Sequence, residues 1–319
     1  MLRMLSMNSR VTVSEMSRSL GVPRQNVMLR LSKIEKHFGI RYTLEIDPAK
    51  IGLTEPHLIA VRFRHKPDYA RIKRLLSESG VAQLAVSASG KYDLLIYANA
   101  FSKTEYYSWD ARMRSTLVLY YGARWEESEI SYQRLGFFPI RNEVINRSRL
   151  KPKDKAMLAM LNDNSRAPLK KISRAAGINY KTVAYRLKRL MSGGIIKRFT
   201  ISLGIHEHMF PMAIFGRFIP PEDSEGVART TQRLFTSDDP DPLVNKYQAT
   251  AALMGSYGFF AFGVFKNRHR AYNDLVLEYK RTYRRFGYTE SSYAELRNVL
   301  LGVLPLRNVD PKAVYRQTL

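Results

Sequence analysis

The residues best suited to chemistry on a polyanion are Lys181, Thr182, Tyr185, Arg186, Lys188 and Arg189, followed by Lys197 and Arg198. At about 100° per residue, Lys181, Tyr185 and Lys188 share one helical face flanked by Thr182 and Arg189, with Val183, Leu187 and Leu190 on the opposite face. Cations so arranged neutralise phosphates, and those in the first turn of a helix can reach base edges in a major groove. A solvated basic helix has the same composition, so the surrounding elements must decide. A second set is Gln25, Asn26 and Lys33, whose amides suit base edges but whose single cation offers little phosphate attraction. A third is Gly90-Lys91-Tyr92-Asp93, where a turn carboxylate can meet a ligand's ammonium or simply bond its own backbone.

The elements that position the first set read clearly. Leu169, Ile172 and Ala176 mark a short helix over about 168–176, Gly177 supplies a residue tolerant of positive φ, and Asn179 can cap the next helix. Gly193-Gly194 ends that helix, and Ile195-Ile196-Lys197-Arg198-Phe199 reads as a strand with a basic tip. Helix, tight turn, basic helix and basic wing is the layout of a winged helix-turn-helix.

The pattern recurs. Residues 9–40 align with 165–196 at a constant offset of 156, matching Ser9-Arg10 to Ser165-Arg166, Gly21 to Gly177, Val27 to Val183 and Arg30-Leu31 to Arg186-Leu187. The first copy predicts helices over 13–20 and 23–37 and a wing over 39–46. The equivalent of Asp154 would precede Met1, so the opening helix is short or the start lies upstream. Residues 1–50 hold nine Lys/Arg against four Asp/Glu, a net +5; residues 141–203 hold sixteen against three, a net +13. The second copy therefore reads as the electrostatic anchor, with phosphate contacts from Lys188, Arg189, Lys197 and Arg198.

After each copy the hydrophobic pattern predicts βαββαβ, a ferredoxin-like sandwich with helices on one sheet face. The divisions are 1–50, 55–140, 141–203 (linker and second winged helix) and 207–319, an α+β chain. An acidic insertion at 236–243 reads as a surface loop. The open sheet faces, read as Leu94 and Ile96 in one half and Phe259 and Ala261 in the other, need a covering sheet or chain.

Net charge is +24 and the pI near 10.2, an excess that favours a polyanion partner through counterion release. Cysteine is absent, which removes disulfides and thiolate sites and fits a reducing cytoplasm. No run of 18 apolar residues predicts a membrane span, and the first ten residues lack a secretory signal. His206 and His208 make a weak metal pair, and no nucleophile elbow, P-loop or paired carboxylate appears. No catalytic residue, metal or cofactor is expected, and the chain reads as a non-enzyme.

The 165–198 segment and Gly90-Lys91-Tyr92-Asp93 resemble the Lrp/AsnC (leucine-responsive, feast/famine) family of transcriptional regulators, in tandem-duplicated form. The resemblance implies paired sheet faces, a homodimer at least on palindromic double-stranded DNA, a RAM-type regulatory domain, and an amino-acid-like effector near Gly90, Tyr92 and Asp93. It also implies a cytoplasmic, nucleoid-associated location. The second turn, Gly255-Ser256-Tyr257-Gly258, lacks the carboxylate, which leaves no effector site expected there. Two alternatives stand beside the regulator: a tetrapyrrole enzyme like the siroheme decarboxylases that share this architecture, and a non-specific architectural nucleic-acid-binding protein.

Overall fold

A computed structural model describes residues 1–203, 210–218, 247–265, 267–277 and 288–305. In the second sheet unit the pattern predicts helices over about 223–235 and 269–286; the first of these, the insertion at 236–243, His206, His208 and the second half of the later helix lie outside the described residues.

The chain opens with helices α1 (Leu2–Met7), α2 (Val13–Leu20) and α3 (Arg24–Phe38) and strand β1 (Arg41–Ile46). Thr12 and Glu15 form a reciprocal capping box on α2. The first sheet unit is β2 (Glu55–Arg62), α4 (Tyr69–Ser77), β3 (Ala82–Gly90), β4 (Leu94–Ala100), α5 (Lys103–Tyr121) and β5 (Arg124–Leu135). Helices α6 (Asn142–Arg147), α7 (Pro152–Asp163), α8 (Leu169–Ala176) and α9 (Tyr180–Ser192) then lead into β6 (Ile196–Leu203). The last strands are β7 (Phe210–Phe218), β8 (Tyr247–Gly255), β9 (Phe259–Phe265), β10 (Tyr288–Leu301) and the short β11 (Leu304–Pro305).

The two sheet units do not stay separate sandwiches. β5 pairs antiparallel with β8, and β10 with β3, closing eight strands into one barrel in the order β10-β3-β4-β2-β5-β8-β9-β7. Leu58, Leu95, Tyr97, Phe215, Phe260 and Phe262 fill its interior. The apolar faces thus cover each other within one chain, and no second chain is needed to bury them. The sequence-based face assignment is corrected: Leu94 and Ile96 point outward into the cluster of Trp109 and Met113 on α5, whereas their neighbours Leu95 and Tyr97 point inward. Both faces of this sheet are apolar, so alternation carried no signal of which residues face which side.

Each barrel seam begins at a glycine. Gly90 (φ +112°) and Gly255 (φ +132°) lie against the opposing strand, where a Cβ would sit 3.1 Å from the Tyr293 carbonyl oxygen and 2.8 Å from that of Glu127. Only glycine fits such an approach at positive φ.

The helical units interlock as well. β1 and β6 pair antiparallel, with β6 central in a three-stranded sheet β1-β6-β11. Leu44 and Ile46 of β1 join the core of α7, α8 and α9, while Ile201 of β6 joins the core of α1, α2 and α3. The contact is reciprocal at the offset seen in the sequence. Ser9 and Ser165 share a hydroxyl–hydroxyl bond of 2.5 Å; Arg10 donates to the Ser165 and Ala167 carbonyls, and Arg166 to those of Ser9 and Val11. This pseudo-two-fold seam fixes α3 and α9 relative to each other.

Both tryptophans of the chain, Trp109 and Trp125, lie in the first half, and Phe215 lies in the second. Phe215→Ala should cost about 3–5 kcal/mol. A closed barrel requires that loss to shift the denaturant midpoint read by tryptophan fluorescence. An unmoved tryptophan transition would mean that the halves unfold independently.

Candidate nucleic-acid interface

The α8–α9 turn is built as its residue types require. Gly177 ends α8 in the left-handed region (φ 60°), and the Ser173 hydroxyl donates to the Ile178 carbonyl. Gly21 (φ 65°) and Ser17, bonded to the Val22 carbonyl, repeat this between α2 and α3. Asn179 Oδ1 accepts from the Thr182 backbone N–H (2.8 Å) and hydroxyl (2.9 Å), so Asn179 caps α9 as expected. Val183, Leu187 and Leu190 are buried and hold α9 on α7 and α8.

The opposite face of α9 is open. Lys181 and Lys188 are exposed, and Tyr185 is 67% exposed. Four of the expected cations are committed elsewhere. Arg186 Nη1 and Arg189 Nη2 bind the two oxygens of Asp154 at 2.8 and 2.9 Å, and that carboxylate is buried in the first turn of α7. Lys197 pairs with Asp47 at 3.4 Å, and Arg198 with Glu45, its register partner across β1 and β6. Arg189, Lys197 and Arg198, expected at phosphates, thus each carry a carboxylate partner within the fold. Arg186 and Arg189 brace α9 from behind, and ion pairs to Asp47 and Glu45 hold the basic end of β6.

On α3 the matching positions are all exposed: Gln25, Asn26, Met28, Leu29 (63%), Arg30, Ser32 and Lys33. Arg30 and Lys33 make no ion pair among the described residues, so the first unit offers more available charge than its net +5 suggests.

The residues expected to hold an effector form part of the barrel seam. Tyr92 is buried and donates to Glu126 Oε2 at 2.6 Å; Tyr257, its equivalent in the second half, donates to the same oxygen. Asp93 Oδ2 accepts from the Phe63 N–H at 2.8 Å and lies 3.5 Å from Arg62 Nε. Gly90 makes the close approach to β10. Gly90, Tyr92 and Asp93 are thus occupied within the fold.

The sequence reading missed one buried polar cluster. His57 stacks flat on Tyr106 (3.7 Å between ring centroids), and its Nδ1 lies 3.1 Å from Glu127 Oε1. Glu127 also accepts from Tyr106 (2.8 Å) and from Arg114 (2.9 Å), which in turn pairs with Asp110. Burial pushes the Glu127 carboxyl up, but bonds from His57 and Tyr106 and the Arg114 charge hold it below its usual value. Burial and the neighbouring Glu127 push Asp110 up. Three elements meet here: α5 supplies Tyr106, Asp110 and Arg114 from one face, but β2 and β5 bring His57 and Glu127 from far along the chain, a pairing no local spacing announces. Among the described residues no group of three or more His, Cys, Asp or Glu is placed to hold a metal ion, and no helix is long and apolar enough to cross a membrane. The barrel interior holds an apolar cavity of about 40 Å³ lined by Leu58, Tyr97, Phe138, Phe215 and Phe260.

Comparisons with known proteins bear on this geometry. Residues 150–197 match the winged helix-turn-helix DNA-binding family. The HTH-type transcriptional regulator Ptr1 of Methanocaldococcus jannaschii is 32% identical over 115 residues, covering 36% of this chain and 71% of that protein. Among solved structures, the siroheme decarboxylase NirDL aligns over 97% of this chain and 93% of its own, with TM-score 0.54 and 10% identity. Its co-complex with an iron-uroporphyrin III analogue aligns over 92% and 87%, with TM-score 0.52 and 10% identity. At that identity the likeness is one of fold. It corrects the non-enzyme reading: the architecture of nearly the whole chain is one on which an enzyme is built.

Proposed function

The chain belongs to the same family of HTH-type transcriptional regulators as Ptr1, and from that premise we propose that it is a sequence-specific, Lrp/AsnC-like regulator of transcription. In this reading residues 1–50 and 141–203 are two winged helix-turn-helix units, and 55–140 and 207–319 are two regulatory halves joined as an in-chain pseudo-dimer. The observation that carries it is the open face of α9, Lys181, Tyr185 and Lys188, on a helix braced from behind by Asp154. Side chains on such a helix enter a major groove without the helix itself having to reorganise. The reciprocal Ser9–Ser165 and Arg10–Arg166 seam supports use of both helices on one duplex.

A second reading, a tetrapyrrole-acting enzyme, is supported by the likeness to NirDL over 97% of the chain. Among the described residues, the open basic face of α9 supports the regulator, and His57 is enclosed between Tyr106 and Glu127. Absorption spectra of the purified protein with added siroheme separate the two. The regulator reading expects no shifted Soret band; a shifted band followed by loss of substrate carboxylates would establish the enzyme.

The DNA reading also distinguishes available from committed charge. Lys33→Ala and Lys188→Ala should each weaken binding to any duplex and shallow the slope of log affinity against log salt by about one unit. Arg198→Ala, which removes a side chain tied to Glu45, should leave that slope nearly unchanged. Anisotropy titrations at several salt concentrations check this. Equal slopes for wild type and both lysine variants would contradict the interface.

A further inference from the structure

We infer that one chain recognises a non-palindromic DNA site with two unlike half-sites, one A·T-rich and read by α3, the other containing guanine and read by α9. This rests on the regulator reading and deepens it by naming the DNA class.

Two observations carry it. The first is geometric. The reciprocal bonds between Ser9-Arg10 and Ser165-Arg166, and the sharing of β1 and β6 by the two cores, make the helical units a pseudo-two-fold pair inside a single polypeptide. A homodimer built by exact two-fold symmetry presents identical helices, so its operator is a palindrome. Pseudo-symmetry within one chain carries no such constraint, because each helix can change alone.

The second is chemical. Overlaying α3 on α9 at the offset of 156 sets Gln25 against Lys181, Asn26 against Thr182, Leu29 against Tyr185 and Ser32 against Lys188. Gln25 and Lys181 both lie in the first turns of their helices, where a recognition helix meets base edges. A carboxamide is matched to adenine, which offers an acceptor at N7 and a donor at N6, and an aliphatic side chain fits the thymine methyl group. Gln25 with the exposed Met28 and Leu29 is such a set. Lys181 has only donors to offer, and guanine presents two acceptors, O6 and N7, in the same groove. The apolar exposure of Met28 (59%) and Leu29 (63%) on an otherwise polar helix also gains a purpose, since two large apolar side chains there would otherwise face water.

The test is selection of binding sites from a random duplex library by the full-length protein, repeated with Gln25→Ala, Leu29→Ala and Lys181→Ala. The expected motif has two dissimilar halves, one A·T-rich and one with guanine. Gln25→Ala and Leu29→Ala should relax preference only in the A·T half, and Lys181→Ala only in the other, by roughly 5- to 100-fold at the affected pair. A palindromic motif, or Gln25→Ala and Lys181→Ala relaxing the same positions, overturns the unlike half-sites while leaving a DNA-binding regulator intact. Salt-dependent binding with no enriched motif overturns the regulator reading itself, and this inference with it.

Discussion

The whole arrangement depends on the burial of two apolar sheet faces against each other. Helices α4 and α5 cover only the outer face of the first sheet, and an apolar inner face facing water would cost about 25 cal/mol for every Å² left exposed. Closure answers this and also removes edges: β3 and β5 of one half hydrogen-bond to β10 and β8 of the other, leaving no unpaired strand in the eight. Glycines at 90 and 255 permit the close approach, and Tyr92 and Tyr257 converge on Glu126 beside it. With the halves locked, the helical units are brought together, and β1 and β6, paired and each contributing to both helical cores, interlock them.

From that constraint follows a distinction between charge present and charge available. The second helical unit carries far more cations than the first, but Arg186 and Arg189 hold a buried carboxylate, and Lys197 and Arg198 tie β6 to Asp47 and Glu45. Removing Arg186 or Arg198 would leave the buried Asp154 or Glu45 short of a partner, so these two residues serve the scaffold that aims α9. What remains for a polyanion on the paired helices is spread over both: Lys181 and Lys188 on α9, and Arg24, Arg30, Lys33 and Lys36 on α3, none of which makes an ion pair among the described residues.

Much of this was legible in the residues. Gly21 and Gly177, the Asn179 cap and the apolar positions of α9 were set by local rules, and the structure places each as the rules require. The offset of 156 marked the very residues, Ser9-Arg10 and Ser165-Arg166, that bond across the seam. What was not legible is non-local. Leu94 to Tyr97 is hydrophobic at every position, so nothing in it said which face turns inward. The partner of Arg198 lies 153 residues away, and its ion pair depends on a strand register that no local pattern encodes. Gly-x-Tyr-Asp was read as a ligand turn because of its carboxylate, yet the residues shared with the second half are the glycine and tyrosine, and both serve the seam. The His57–Tyr106–Glu127 cluster draws on β2, α5 and β5 and had no signature at all.

The most direct measurement of the central claim is hydrogen exchange of the full-length protein with and without duplex DNA. Two recognition helices held in one rigid frame predict slowed exchange in both α3 and α9 on binding, with the barrel strands β2–β5 unchanged. Slowing confined to the barrel, or seen in neither helix, would contradict the account.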